Sequence, residues 1–231
     1  MKPIDLVILA GGKGKRLRSI TKNKIPKPLV KINNIPFLDY LINYLSRFGI
    51  RKIIILCGYK GNQIYKRYNN TKVNGKIINC KIEKKEMGTG GALNLIKNKI
   101  SKYFFLVNGD TFFNINLDNL KKKMDKNYSA MMVLSTEFKK SKTKKLLNLK
   151  LNNKSELINK KSKLINSGTY LFSNKIFEYL NTKNQSLESE IIPILIKKKR
   201  IFGVKSRAKL IDIGTPNNYK ISKYLLSKQN F

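Results

Sequence analysis

The sequence predicts an α/β fold: a mixed, mostly parallel sheet with helices on both faces. Three observations carry this. Short apolar, β-prone runs alternate with helix-period stretches through the first half of the chain. The first run, residues 6–9, breaks at once into Gly11, Gly12 and Gly14, with Lys13, Lys15 and Arg16 among them. Glu83 and Asp110 stand at the ends of later runs, as the glycines do. Ligands of open parallel sheets bind beyond the C-terminal strand ends, which groups these residues.

Each element follows from its residues. Residues 6–9 read as a buried strand between turn signals. The glycines after it permit a sharp turn and close approach to backbone N–H groups, and the cations suit phosphate. Neither standard phosphate motif fits: there is no G-x-x-x-x-G-K-[ST], and Leu17 stands where a dinucleotide loop needs a third glycine. An ordinary strand-to-helix turn is the plain alternative. Pro26 and Pro28 restrict their neighbours and predict an extended segment at Lys27. Phe37, Leu38, Leu41, Ile42, Leu45 and Phe48 have helical spacing, with Gly49 as the stop. Residues 51–57 are a second strand, 61–69 a surface helix and 76–83 a third strand. Gly88-Thr89-Gly90-Gly91-Ala92 opens a helix through Leu93, Leu95 and Ile96, and its small residues admit a flat ligand. Residues 103–107 form a strand ending in Asn108-Gly109-Asp110.

The second half is less regular. Residues 130–136 read as a strand and 138–145 as a lysine-rich exposed loop. Short strands are expected at 145–151 and 156–159, and a longer one at 166–172. Residues 176–180 and 187–196 are helical. Short strands at 201–204 and 209–211 lead into Asp212, and Pro216 suits the first turn of a helix over 217–226. No repeat or long linker divides residues 1–231, which read as a single domain.

Composition narrows the function. The 231 residues are 41% hydrophobic, enough for one sizeable core. No apolar run approaches the roughly 20 residues a bilayer crossing needs, and the N-terminal run reads as a strand, so the expectation is cytoplasmic. A net charge of +36 comes from 49 Lys and Arg against 13 Asp and Glu. The lysines are scattered and lack aromatic interleaving, which argues against a specific nucleic-acid platform. Runs such as 121–123 and 197–200 fall where helices face solvent. Cys57 and Cys80 read as small buried side chains. With no histidine, a Ser-His-Asp triad and most zinc sites are excluded. Chemistry must come from carboxylates, cations and backbone amides, with or without a metal ion.

The segments LAGGKGKRL, IPKPLV, GTGGA, NGD and IDIGTP, in this order and spacing, resemble the sugar-phosphate nucleotidylyltransferases, or NDP-sugar pyrophosphorylases. Through IEKKEMGTGGAL, LVNGDTFFNINL and LINSGTYLF the chain looks most like the short D-glycero-D-manno-heptose 1-phosphate guanylyltransferases. The resemblance implies a three-layer Rossmann-like fold with a nucleotide-binding half, 1–136, and a sugar-phosphate-binding half, 137–231. It implies transfer of a nucleotidyl group from an NTP to a sugar 1-phosphate, with release of pyrophosphate. The sugar phosphate is then the nucleophile, and no protein nucleophile is needed.

Roles implied by the resemblance fall on matched positions. Arg16, Lys27 and Asp110 are the catalytic candidates. Arg16 would stabilise departing pyrophosphate and Lys27 would neutralise charge at the α-phosphate. Leu9, Ala10, Gly11, Gly12, Gly14, Lys15, Glu83, Gly88 and Thr89 would hold the nucleotide. Asp110 and Asp212 would hold Mg²⁺, which takes one or two carboxylates plus phosphate oxygens and waters. Guanine presents two adjacent donors that one carboxylate accepts, so Glu83 favours GTP; a surface pair with Lys84 or Lys85 is the rival reading. Gly109, Lys160, Asn166 and Gly168 are the sugar-side candidates. Here the chain departs from the pattern. Asn159 replaces an expected acid ahead of Lys160 and Lys161, and an Arg-Tyr-Gly element near 139–145 is missing. Alternatives are a glucose or amino-sugar 1-phosphate uridylyl- or thymidylyltransferase, a non-catalytic nucleotide sensor, and a nucleic-acid-binding protein that uses the basic surface. NTP and sugar 1-phosphate are the expected partners, with no specific nucleic acid and no membrane; a homo-oligomer is compatible with this reading.

Overall fold

A computed structural model describes residues 3–136, 149–160 and 162–227. The expected loop at 138–145, and Lys161, lie outside these residues. The principal sheet has eight strands: β1 (Ile4–Ala10), β2 (Ile50–Cys57), β3 (Lys72–Val73), β4 (Lys76–Ile82), β5 (Tyr103–Asn108), β6 (Ala130–Ser135), β7 (Ile165–Ser173) and β8 (Ile201–Ser206). Their order is β8-β6-β7-β5-β1-β2-β4-β3. The pairs β1–β2, β2–β4 and β6–β8 are parallel, while β6–β7 and β3–β4 are antiparallel. The sheet is mixed and mostly parallel, as the sequence predicts.

The chain divides into two compact units. The first comprises Met1–Glu86, Val107–Phe112 and Ile211–Phe231; the second comprises Met87–Leu106 and Phe113–Leu210. In the first unit, Leu6, Val7 and Ile8 of β1 and Ile53, Ile55 and Leu56 of β2 are fully buried. Strands covered on both faces carry such continuous apolar runs, which is why no alternation shows in the sequence. The helix Phe37–Leu45 buries Phe37, Leu38, Leu41, Ile42 and Leu45, and it ends ahead of the expected stop at Gly49. The surface helix is Gly61–Tyr68, close to its expected bounds.

One buried charge anchors the start of this unit. Asp5 is fully buried, and Arg51 donates to both its oxygens, Nε to Oδ1 and Nη2 to Oδ2, each at 2.8 Å. Truncating Arg51 removes both of these bonds from a carboxylate held away from water. Arg51→Ala is expected to lower unfolding free energy by about 2 kcal/mol in urea titrations. Arg51→Lys is expected to restore less than half, because an ammonium cannot reproduce the two-pronged guanidinium.

In the second unit, every residue of β6 is buried. A bulge interrupts the β6–β7 pairing between Asn166 and Tyr170, and Gly168 supplies its left-handed φ of 71°. Predicted helices here are tighter or wider than expected. The 88–96 segment is a short turn, Gly88–Gly91, then a 3₁₀ stretch, Ala92–Ile96. The 187–196 segment is a π-turn, Leu187–Ile191, continued by the α-helix Ile192–Lys197. Pro193 lacks an N–H and its ring crowds the preceding turn, which accounts for the widening. Cys57 and Cys80 are buried free thiols. Lys122, Lys123 and residues 197–200 are exposed, as solvent faces should be. Among the described residues no helix is long and apolar enough to cross a membrane.

Candidate active site

The C-terminal ends of β1, β2, β4 and β5 are stitched together by backbone contacts. Gly109 N–H donates to the Leu9 carbonyl at 2.8 Å, Tyr59 N–H to Gly11 at 2.9 Å and Glu83 N–H to Cys57 at 2.8 Å. Glycine is required at several of these crossings. A Cβ on Gly109 would stand 2.7 Å from the Leu9 oxygen, and one on Gly58 would stand 2.7 Å from the Gly11 oxygen. Gly14 has φ 57° and turns the chain into the 3₁₀ turn Lys15–Leu17, whose Leu17 is fully buried. That burial explains why leucine stands where a dinucleotide loop has glycine.

Beyond these ends lies a cavity of about 230 Å³, lined by Leu9, Ala10, Gly12, Gly14, Lys15, Arg16, Lys27, Pro28, Asp110 and Gly214. A Cβ on Gly12 would meet nothing within 4 Å, so the loop presents bare backbone to open space there. Lys27 does not lie in an extended segment, contrary to expectation. It opens a 3₁₀ turn, Lys27–Leu29, after the extended Pro26. The two prolines fall where a helical turn needs no N–H, so they favour the turn. Gly14 backs the Lys27 stem, 3.1 Å from where a Gly14 Cβ would be.

Lys27 is 7% exposed, and its Nζ lies 2.5 Å from Asp110 Oδ2 and 3.7 Å from Asp212 Oδ1. Asp110 and Asp212 come together because the short strands Thr111–Phe113 and Leu210–Asp212 pair, and Ile213 N–H donates to the Asp110 carbonyl at 3.1 Å. Asp212 is fixed at both oxygens. Gly214 N–H donates to Oδ1 at 2.6 Å and Asn218 Nδ2 to Oδ2 at 3.1 Å. A side chain at Gly214 would stand 2.8 Å from that carboxylate. Burial works to raise the Asp110 carboxyl, but the adjacent Lys27 ammonium and the Thr111 hydroxyl outweigh it and hold it below the usual carboxylate range. At Asp212 burial wins. The Asp110 charge adds to it, and the Lys27, Gly214 and Asn218 contacts offset only part of the rise.

The Glu83 carboxylate reaches the glycine loop, with Oε1 2.7 Å from where a Gly11 Cβ would sit. The exposed Lys13 pairs with Glu86 at 2.6 Å, a partner that sequence reading did not identify. Asn218 was also unidentified, although a pair of asparagines at a helix start is a signal for local side-chain bonding.

Gly88, Thr89, Lys160, Asn166 and Gly168 belong to the second unit. The glycines at 88 and 91 admit the segment 183–185. A Cβ on Gly88 would be 2.5 Å from the Gln185 oxygen, and one on Gly91 would be 2.4 Å from the Lys183 oxygen. Their small size is therefore used by this chain itself, to pack the segment 183–185. Thr89 donates to Glu188 Oε2 at 2.7 Å and accepts from Leu187 N–H at 2.8 Å. Asn166 spans the bulge, with Nδ2 2.5 Å from the Tyr170 hydroxyl and Oδ1 accepting from Gly168 N–H at 2.9 Å. Lys160 is exposed.

Residues 5–228 match the nucleotidyl transferase family. A D-glycero-alpha-D-manno-heptose 1-phosphate guanylyltransferase of Aneurinibacillus thermoaerophilus is 33% identical over 225 residues, covering 94% of this chain and 96% of its own. Its namesake in Campylobacter jejuni is 34% identical over 224 residues, covering 94% and 97%. Among solved structures, HddC from Yersinia pseudotuberculosis complexed with GMP-PN superposes with a TM-score of 0.77 at 29% identity, over 96% of this chain and 99% of that one. Matched over more than nine-tenths of its length by these proteins, the chain belongs to the nucleotidyl transferase family and is a nucleotidyltransferase.

Proposed function

We propose that this enzyme transfers guanylyl from GTP to a manno-heptose 1-phosphate, giving the GDP-sugar and pyrophosphate. The observation that carries the reading is the meeting of Lys27, Asp110 and Asp212 at the cavity that Arg16 and the glycine loop line. The relatives named heptose 1-phosphate guanylyltransferases, and the neighbour solved with GMP-PN, favour this substrate pair over others.

A phosphate oxygen of the sugar 1-phosphate attacks the α-phosphorus of GTP, and the bond to the β-phosphate oxygen breaks. Such transfers depend on positioning and charge compensation, which this chain can supply without histidine. Backbone N–H groups of the glycine loop, with Lys15, receive the outer phosphates. Arg16 offsets charge on the leaving pyrophosphate. Lys27, buried and rigidly backed, offsets charge where the two substrates meet.

The donor set also suits a divalent cation. Asp110 and Asp212 present two carboxylates within reach of one ammonium, and among the described residues there is no group of three or more metal-binding side chains. A site of two carboxylates that relies on phosphate oxygens and water for the rest is what Mg²⁺ prefers. Bound there, Mg²⁺ would supply Lewis-acid activation of the phosphates. We assign the activity to the cytoplasm and its product to surface-polysaccharide or lipopolysaccharide assembly.

Glu83 is the proposed reader of guanine, through N1–H and the N2 amine. Glu83→Gln is expected to lower kcat/KM for GTP by about tenfold and leave UTP within about twofold, because one acceptor becomes a donor. Steady-state rates with the two triphosphates check this. The overall reading is tested by pyrophosphate release over a grid of GTP, ATP, CTP, UTP and dTTP against heptose, mannose, glucose and N-acetylglucosamine 1-phosphates. GTP with the heptose phosphate should dominate. A UTP or dTTP preference would replace the substrates, and nucleotide binding without turnover would make the chain a sensor.

A further inference from the structure

The three cations of the glycine loop differ in their partners. Lys15 and Arg16 line the cavity and, among the described residues, form no ion pair. Lys13, between the cavity-lining Gly12 and Gly14, already holds an anion: its Nζ lies 2.6 Å from Glu86 Oε2. The loop, the cavity lining and Glu86 all belong to the first unit. With 13 acids against 49 lysines and arginines in the chain, composition does not account for an acid on the loop that would receive phosphates.

The strand before Glu86 sets its place. β4 ends at Ile82, and Glu83 N–H donates to the Cys57 carbonyl at 2.8 Å, which ties the next residue to β2. The Glu83 carboxylate approaches Gly11 and the Glu86 carboxylate reaches Lys13, so the segment 83–86 runs beside the loop and meets it on either side of Gly12. The Lys13 ammonium, and after it the Lys15 charge, hold the Glu86 carboxyl below the usual carboxylate range. Glu86 is therefore an anion in the field of two loop cations. Its bond is open to exchange, because the Lys13 and Glu86 side chains are 48% and 58% exposed, and ion pairs in water are weak and screened by salt.

We propose that Glu86 is a built-in competitor of the triphosphate: its carboxylate occupies Lys13 in the free enzyme, an outer phosphate oxygen takes that ammonium when nucleotide binds, and Glu86 thereby sets the affinity of the loop for polyphosphate. This rests on the proposed function. Carboxylate and phosphate oxygens are both strong acceptors for an ammonium, and the triphosphate brings more charge, so the exchange runs toward bound nucleotide. The rival role is a strut, in which the pair holds the loop in its binding shape and breaking it weakens binding. The two roles predict opposite signs.

Calorimetric titration of GTP and of inorganic tripolyphosphate, each with Mg²⁺, into wild type and Glu86→Gln separates them. Tripolyphosphate has no base, so it reads the loop without Glu83. At about 0.05 M salt Glu86→Gln should bind both probes about three- to fivefold more tightly, and the gain should shrink below about twofold at about 0.5 M salt. Unchanged or weaker binding by a variant that melts as wild type does overturns the proposal. Acylation of the Lys13 amine, read by peptide mapping, supplies a second measurement. In Glu86→Gln the amine should react readily in the free protein and be shielded by tripolyphosphate. An amine equally reactive with and without the probe also overturns the proposal, since Lys13 would then have taken no new partner. Should Glu86→Gln fail to fold, Glu86→Ala must show the same gain and the same shielding. If the wild type releases pyrophosphate with no pair in the grid, the proposed function and this inference fail together. If it turns over and the Glu86 variants bind as it does, this inference alone fails.

Discussion

Asp110→Asn is expected to reduce guanylyl transfer by about a thousandfold, with KM for GTP changed far less. The asparagine keeps the shape of the side chain and its Thr111 contact but loses the charge. Two carboxylates face Lys27 in the wild type; one remains in the variant. Losing one of two anionic oxygens for a divalent cation removes several kcal/mol of charge stabilisation at the reacting phosphate, which is the size of the predicted defect. The variant should also need far more Mg²⁺ for half-maximal rate. A rate within tenfold of wild type, at saturating Mg²⁺ and with an unchanged melting curve, would remove Asp110 from the chemistry.

Lys27→Ala is expected to cost about a hundredfold in turnover, as loss of one preorganised cation at a developing charge typically does. It has a second, opposite consequence. Lys27 is the cation that compensates Asp110 and Asp212 in the free protein, and without it the two carboxylates confront each other. In the wild type, the depressed Asp110 stabilises the fold above its unfolded pKa, and that contribution is lost as pH falls through the folded value. The raised Asp212 acts in the other sense, stabilising at low pH and less as pH rises through its folded value. Removing the ammonium turns both groups toward the second behaviour. The stability of Lys27→Ala should therefore fall, relative to wild type, as pH rises through and above the ordinary carboxylate range. A divalent cation should stabilise it more than it stabilises wild type, because the ion then takes the place of the ammonium. Thermal melts across pH, with Mg²⁺ or EDTA, read both effects.

Much of this was legible from local sequence. Residues 6–9 and 53–57 are unbroken apolar runs next to turn residues, and both lie in buried parallel strands. The glycines at 11, 12 and 14 signal a sharp turn, which Gly14 makes with a φ of 57°, and Asp110 and Asp212 stand out by their place after strands. What sequence did not reveal depends on contacts between distant segments. The packing of Gly88 and Gly91 against the segment 183–185, nearly a hundred residues on, is one such contact. Lys13 gave no sign of its partner Glu86, and the widening before Pro193 could not be told from a regular helix by periodicity. The proline rules predict an extended Lys27 because they apply to single residues, whereas its turn is set by hydrogen bonds from Leu29 and Val30 N–H groups to the Pro26 and Lys27 carbonyls. Glu188 carries no local motif; only the fold sets it beside Thr89.

The central claim is that the bare backbone at Gly12 faces bound triphosphate. Calorimetric titration of GTP, with Mg²⁺, into wild type and Gly12→Val tests it directly. Because an added Cβ meets no atom within 4 Å, the valine variant should fold and melt as wild type does. Its affinity for GTP should drop by at least about tenfold, since the new methyl groups fill space the phosphates need. Equal affinity in the two proteins would contradict the account, because the nucleotide would then have to bind elsewhere.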